Sequence, residues 1–378
     1  MVTRITNTML QNTLLSNLSL NLNRMDKLQN QLSSGRKFGH ISDDPSALIY
    51  GQAARNKIAR LGHYQGKVES AQSWLTQAEA GIMELSKVVG AVYEELVSAG
   101  SVKTDSDKQN LGKVVYQLRD HYLDTLNTSY GDRFVFGGYN TPGDWAEGQA
   151  PVVKPFTIVE MPDADGRMMP QLHFNGFNLS QFDGMTTAEF EAGLAGISFP
   201  APPGPQADAF ETLQLLMNDV VTFDVGPGIE MPVTQNGIDI VFFIARAEDG
   251  SAIMRNSYDL LTEVYNAING VPESFIPPLD AIPPKGTDEL TSLIKLVQDS
   301  QNHLLTRTAE IGGRQRRLEL LEARYETDNL NYEKMRSDAE DAEMAEVIMY
   351  LKMAETIYQA ALSAGARVIQ PTLMDFLR

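Results

Sequence analysis

The chain has no cysteine among its 378 residues. This absence excludes disulfides, iron–sulfur clusters, thiol nucleophiles and zinc sites that use cysteine ligands. The sequence also lacks an uncharged apolar run of about 18 residues, so it predicts no transmembrane helix. The first residues, MVTRITNTML, contain neither a long apolar core nor a small-residue cleavage site, and we therefore do not expect a Sec-type signal peptide.

Basic residues are scarce, since 31 Lys and Arg stand against 49 Asp and Glu, for a net charge of −18. Most of the excess lies in the middle, where residues 141–286 carry 5 basic and 20 acidic side chains. An acidic chain repels phosphate backbones, so we expect no nucleic-acid partner and no membrane partner. The acidic middle is expected to face solvent.

Proline is nearly absent outside the middle, because 16 of the 18 prolines lie between Pro142 and Pro284. Proline breaks helices, so only residues 46–141 and 285–370 are free to form long ones. Both segments space their apolar residues as a coiled coil does. In the first, the steps alternate between three and four residues, at Leu61, Tyr64, Val68, Ala71, Leu75, Ala78, Ile82, Leu85, Val89, Val92 and Leu96. In the second, they recur every seven residues, at Leu290, Val297, Leu304, Ile311, Leu318, Tyr325, Tyr332 and Ala339.

These patterns predict a mainly α protein with a β-rich insert, in the α+β class. We expect the N- and C-terminal segments to form a long antiparallel coiled-coil helical rod, with a central β domain. Residues 1–42 and 336–378 would be terminal helices that share one domain. Residues 43–140 and 256–335 would form the helical rod, and 141–255 the acidic surface insert.

Turn signals predict two hairpins in the middle of the chain. One covers Pro155–Phe174, with its turn at Asp165-Gly166, and the other covers Met231–Phe243, with its turn at Asn236-Gly237. The chain is expected to return to helix over residues 257–268.

Helix boundaries are also marked in the sequence. Asp44 is a predicted N-cap that precedes Pro45 at the first helical position, and Gly100 is a predicted helix stop. Thr287 is a second predicted N-cap, at the start of the long C-terminal helix.

Two amphipathic segments near the chain ends carry the candidate functional residues. A lone amphipathic helix buries too little apolar surface to offset its ordering entropy. We therefore expect both segments to be poorly ordered in the free chain and to pack against other chains. The predicted assembly interface consists of Leu14, Leu18, Leu22, Met25, Leu28, Leu32, Val347, Leu351, Ala354, Tyr358, Ala361 and Val368.

Catalytic and metal-binding motifs do not emerge. The five histidines are scattered, and no His-Glu-x-x-His motif occurs. The acidic run in residues 337–346 lacks the spacing of an EF-hand and is typical of a solvated helix face. We predict no catalytic residue, no cofactor and no metal site, and we do not expect an enzyme.

Both ends of the chain carry distinctive motifs. The N-terminal motifs are LQNQLSSGRKF at 28–38 and ISDDPSAL at 41–48. The C-terminal motifs are AEIGGRQRRLE at 309–319, SDAEDAEMAE at 337–346 and YQAALSAGARVIQPTLMDFL at 358–377. Together these motifs resemble those of bacterial flagellins and their hook-associated relatives. Within that family, DRFVFGG at 132–138 and the ending TLMDFL favour the hook–filament junction subtype over flagellin, the self-polymerising filament subunit.

The resemblance implies an extracellular flagellar component exported through the flagellar type III pathway. Its implied role is an adaptor that joins hook-associated proteins to the flagellin filament by coiled-coil assembly of its terminal helices. The implied partners are copies of itself in a ring, hook-associated protein 1 on the hook side, flagellin on the filament side and a flagellar export chaperone. An unrelated coiled-coil signalling rod and an enzyme within the insert are the alternatives from other classes.

Overall fold

The computed structural model describes ten stretches of the chain: residues 7–39, 44–100, 105–131, 133–138, 154–162, 168–194, 206–218, 220–247, 250–269 and 287–369. The chain divides into two compact units. The terminal unit comprises Met1–His63 and Ala323–Arg378, and the central unit comprises Tyr64–Glu322. Long helices and a separate β-containing region confirm the predicted α+β class.

Long helices dominate both ends of the sequence. They are α1 (Asn7–Ser34), α2 (Pro45–Ala99), α3 (Asp105–Leu126), α8 (Thr287–Glu340) and α9 (Met344–Ile369). The absence of proline from these segments after Pro45 is what allows helices of 55 and 54 residues in α2 and α8.

Helices α2 and α8 run antiparallel, as predicted. In the central unit the Gln72 amide donates to the Glu322 carboxylate at 2.9 Å, and the Gln298 amide donates to the Tyr93 hydroxyl at 3.1 Å. As the residue number rises on one helix, its partner's number falls on the other. In the terminal unit the Lys57 ammonium lies 4.8 Å from the centre of the Tyr332 ring, which continues this order.

The predicted coiled-coil positions are the buried ones. On α2, all the predicted positions from Val68 to Leu96 are buried. On α8, the positions seven residues apart are buried from Leu290 through Tyr325. Periodicity alone therefore located the core-facing stripe of both helices.

Two helix boundaries lie where the sequence placed them. Helix α2 begins at Pro45, and the Asp44 Oδ1 accepts hydrogen bonds from the backbone N–H groups of Ser46 (3.1 Å) and Ala47 (3.0 Å). These bonds and that of the Ser46 hydroxyl lower the pKa of Asp44 below its usual value. Helix α2 ends at Ala99, and the Gly100 N–H donates to Leu96 O at 3.1 Å. Helix α8 begins at Thr287 itself, the residue predicted as its cap.

The first predicted hairpin is confirmed. Strands β3 (Phe156–Pro162) and β4 (Met168–Phe174) pair antiparallel, with Phe156 opposite Phe174, and β5 (Phe177–Asn178) extends the sheet beside β4. The turn predicted at residues 165–166 lies outside the described residues.

The second predicted hairpin is wrong. Asn236 caps the short helix α6 (Gly237–Val241), and its Oδ1 accepts from the Ile238 N–H at 2.9 Å. A Cβ on Gly237 would lie 2.3 Å from the Phe156 ring and 2.6 Å from Phe136 O. Tertiary packing and the N-cap preference of asparagine therefore decide this segment, rather than the turn preference of Asn-Gly.

The two strands on either side of α6 do not pair with each other, and each pairs with a different strand instead. The two-stranded ladders are β1 (Ser129–Tyr130) with β2 (Arg133–Phe134), β6 (Thr222–Gly226) with β7 (Ile229–Pro232), and β8 (Phe242–Arg246) with β9 (Ala252–Asn256). A 3₁₀ turn (Ser180–Phe182) and helices α4 (Thr187–Leu194), α5 (Gln206–Met217) and α7 (Ser257–Asn269) complete the central unit. The helix predicted over 257–268 is confirmed as α7, which packs against α3.

Candidate assembly interface

The two terminal helices pair with each other within one chain. Leu28 of α1 and Val347 and Ala354 of α9 are buried between them. The Asn21 side-chain amide donates to Ala354 O at 3.1 Å. These contacts bring the two predicted segments together across more than 300 residues of sequence.

Most of the predicted interface residues lie in the contact between α1 and α9, which we call the seam. Besides the three buried residues, Met25, Leu32 and Leu351 pack against the same cluster. Leu14 and Gly365 also approach closely, since a Cβ on Gly365 would lie 2.7 Å from Leu14 Cδ2. Leu22 is 46% exposed. Half-buried positions complete the set at Leu14, Leu18, Tyr358 and Ala361, and the Val368 side chain lies outside the described residues.

The two segments, which the sequence analysis expects to be poorly ordered in the free chain, pack on each other in the structure. Both are helical along their described residues, because each covers the other's apolar stripe. The sequence argument had treated each helix as if it stood alone. Pairing between the chain ends supplies part of the burial that an isolated helix lacks.

The outward sides of this helix pair are also apolar, and the sequence analysis missed them. On α9, Met349, Met353 and Ile357 follow one another at four-residue steps, and the first two are 57% and 59% exposed. Met344 and Ile348 form a second exposed row on the same helix. The available signal was that α9 is apolar nearly all round, which is typical of a helix enclosed on several sides.

Helix α1 has the same arrangement. Leu15 and Leu22 lie seven residues apart on one exposed side, and Met9 and Leu20 lie on another. We call the exposed apolar residues of both helices the outer rows. They consist of Met9, Leu15, Leu20, Leu22, Met344, Ile348, Met349, Met353, Ile357 and Leu362.

Polar residues separate the rows of α9. Lys352 donates to the Glu355 carboxylate at 2.9 Å, an exposed pair that contributes little stability. Tyr350 lies near Glu346, whose hydrogen bond and charge raise the pKa of that tyrosine. This alternation of rows gives α9 at least two separate apolar surfaces besides the seam.

The strongest charge cluster lies elsewhere, in the central unit. Arg255 donates to Asp183 (3.1 Å) and to Glu263 (2.6 Å). Asp259 accepts from the Ser180 hydroxyl at 3.0 Å, and its other oxygen is buried without a hydrogen-bond partner. Burial, and then the Asp183 charge, raise the pKa of Asp259 to about 7. The cluster ties the start of α7 to the turn at residues 180–182.

Within the described residues, no group of three or more His, Asp or Glu side chains is placed to hold a metal ion. No described helix is long and apolar enough to cross a membrane.

The sequence of this chain is similar to those of known flagellar proteins. Residues 5–141 match the bacterial flagellin N-terminal helical region. The predicted resemblance to bacterial flagellins is confirmed. Flagellar hook-associated protein 3 of Salmonella typhimurium (strain LT2) is 27% identical over 127 residues, which cover 32% of this chain and 40% of that protein. Flagellin of Clostridium tyrobutyricum is 25% identical over 126 residues, which cover 33% of each chain.

The fold also has a solved counterpart. It is the structure of a Vibrio parahaemolyticus protein that is assigned as a flagellar hook-associated protein. The match has a TM-score of 0.52 and 15% identity, and it covers 79% of this chain and 100% of that one. The sequence alignments, in contrast, span less than half the length of the relatives that they match.

Proposed function

We propose that this chain is a structural component of the bacterial flagellum, an adaptor that joins hook-associated proteins to the flagellin filament through its terminal helices. The match of residues 5–141 to the flagellin N-terminal helical region and the similarity of the chain to hook-associated protein 3 support this function. The motifs at both chain ends and the hook-associated fold support it as well. We further propose that it acts by assembly and not as an enzyme.

The outer rows of α1 and α9 are the single observation that carries the proposal. Burying apolar surface is worth about 25 cal/mol per Å², so exposed methionine and leucine rows favour association. Among the described residues of the terminal unit, no further helix covers both sides of the pair. Neighbouring chains would supply that cover, and the seam would keep the two helices in the arrangement that docks.

The separate rows on α9 favour contacts that differ on each side. A row that packs against a different row of the next copy makes a head-to-tail contact, which closes into a ring or continues as a helix. We propose a ring of identical subunits, with hook-associated protein 1 on the hook side and flagellin on the filament side. Residues 1–42 and 336–378 would form the inner core, 43–140 and 256–335 the rod, and 141–255 the outward insert.

The proposed location is the extracellular flagellum, reached through the flagellar type III pathway with an export chaperone. The absence of cysteine suits such export, because no disulfide would hold the chain folded on the way. The acidic insert would keep neighbouring subunits soluble.

Deletion of the gene in the native organism tests this function. We expect hooks to form, filaments to be missing and flagellin to accumulate in the medium. Normal filaments in the deletion strain would overturn the proposal. If filaments are lost but the purified protein elongates on seeds of itself, the chain is the filament subunit instead.

Complementation then tests the outer rows. Met353→Glu places a charge in an exposed apolar row, and we expect it to fail to restore filaments. Gln359→Glu places the same charge on an exposed polar position of the same helix, and we expect it to restore them. Equal motility of the two strains, with equal export of both variants, would show that the rows are not the interface.

A further inference from the structure

The terminal unit contains two breaks between consecutive helices, one between α1 and α2 and one between α8 and α9, and the two breaks lie side by side. Helix α1 ends at Ser34 and α2 begins at Pro45, while α8 ends at Glu340 and α9 begins at Met344. The two breaks are bonded to each other. The Lys37 N–H donates to Glu340 O at 2.7 Å, and the Ala342 N–H donates to Gly35 O at 2.8 Å.

These bonds form a short two-stranded joint of residues 35–37 and 341–342. Arg36 and Asp341 are paired in it as an isolated antiparallel bridge. Gly35 ends α1 with a φ of +69° and donates to Gln31 O at 2.9 Å, a helix-ending turn that favours glycine. The exposed Lys37 ammonium also donates to Asp338 O at 2.6 Å across this joint. These bonds are few and lie at the surface, whereas the next contact is buried.

Glu340 supplies that contact. It is the last residue of α8 and only 6% exposed, and its carboxylate pairs with the Arg55 guanidinium of α2. Its side chain covers Gly51, where a Cβ would lie 2.4 Å from Glu340 Oε1 and 2.8 Å from Cγ. The fit therefore requires glycine at residue 51.

The position of Glu340 is not explained by the stability of α8. An anion in the last turn opposes the helix dipole. A buried carboxylate also needs a partner, and losing that partner is strongly destabilising. Arg55, in contrast, keeps 43% of its side chain exposed, so the pair is accessible from solvent on one side.

We propose that Glu340, Arg55 and Gly51 form a latch that fixes the angle of the α1–α9 helix pair on the adjoining ends of α2 and α8. With the latch closed, the pair has one orientation. With it open, the joint of residues 35–37 and 341–342 acts as a hinge, and the pair takes up a range of angles. The latch lies apart from the seam and the outer rows, so it regulates how the proposed assembly surface is presented rather than forming it.

The absence of cysteine permits a direct test on the full chain. Spin labels are attached to cysteines introduced at exposed positions, Gln359 on α9 and Asn56 on α2. Pulsed electron resonance then measures the distance distribution between them. The parent chain is expected to give one narrow distribution.

Three variants each disrupt the latch at one of its three residues: Glu340→Gln, Arg55→Ala and Gly51→Ala. Each is expected to broaden or shift the distribution by more than its original width, with the helical circular dichroism unchanged. Glu355→Gln, which breaks the exposed pair with Lys352, is the matched control and is expected to leave the distribution as it was.

Unchanged distributions in the three latch variants would overturn the proposal. Broadening accompanied by loss of helicity would also overturn it, because Glu340 would then hold the fold rather than an angle. The measurement uses the free chain and the filament test uses cells. Failure of the latch therefore leaves the adaptor function standing, and failure of the adaptor function leaves the latch standing.

Discussion

The central unit and the α1–α9 helix pair use the same apolar spacing with different results. In the central unit, α2 has neighbours on several sides. It meets α8 at Gln72, β1 through the Trp74–Tyr130 ring contact (6.2 Å), and α3 through Glu84 and His121 (3.4 Å). Its inward side chains are completely buried. The α1–α9 pair buries only Leu28, Val347, Ala354 and Gly365 among its described residues.

The difference shows that an apolar stripe determines which helices pair, whereas the number of neighbouring elements determines how much apolar side-chain surface is buried. One stripe on a helix can be covered by one partner helix. Helix α9 carries apolar residues on its other sides as well, and one chain leaves them in water. The central unit is expected to be stable in the free chain, whereas the helix pair is expected to be marginal until further chains cover it.

Leucine truncation should separate the two regions most strongly. Leu85→Ala removes a side chain that is 0% exposed, and we expect it to lower the free energy of unfolding of the central unit by about 2–5 kcal/mol. Leu28→Ala should leave the free energy of unfolding of the central unit unchanged and reduce assembly. Denaturant unfolding measures the stability of both variants, and filament complementation measures assembly. An equal loss of stability in the two variants would mean that the helix pair belongs to the same cooperative core.

Glycine replacement gives a smaller test of packing inside the central unit. Gly237→Ala forces a Cβ against Phe156 and the backbone of Phe136, so we expect a loss of about 1–3 kcal/mol. Gly313→Ala, in the exposed interior of α8, meets nothing within 4 Å and should gain about 0.5–1 kcal/mol. Opposite signs in thermal unfolding would agree with this geometry. A gain at Gly237 would contradict the close approach.

A pH series tests the buried cluster of the central unit. The folded pKa of Asp259 lies above its ordinary value, so the folded chain holds this proton more tightly than the unfolded chain. Its contribution to stability is therefore complete below pH 3.8 and is lost as the pH rises to about 7.

Asp259→Asn keeps the neutral form at every pH. We expect it to raise the free energy of unfolding by about 2 kcal/mol at pH 8 and to change little near pH 4. Glu191→Gln, at an exposed acidic position, should leave the pH profile as it was. An equal effect of Asp259→Asn at both pH values would show that the carboxyl is already ionised at the lower one.

The sequence predicted the features that depend on local pattern. The spacing from Val68 to Leu96 located the buried stripe of α2, and Asp44-Pro45 located its start. Asn236-Gly237 led to the wrong prediction of a hairpin turn, because the contacts that decide this segment come from Phe136 and Phe156, which are distant in sequence. The apolar stripes of α1 and α9 followed from their periodicity, and the two chain ends were placed in one domain. The outer rows were missed, because the spacing of three and four residues follows one side of each helix only.

Hydrogen exchange, compared between the free chain at high dilution and the assembled state, tests the central claim most directly. We expect the amides of α1 and α9 in the free chain to exchange faster than those of α2 in the central unit. On assembly, the amides of α1 and α9 should show the largest gain in protection from exchange. If the free chain already protects both helices as well as it protects α2, or if assembly adds no protection there, the terminal helices are not the assembly surface.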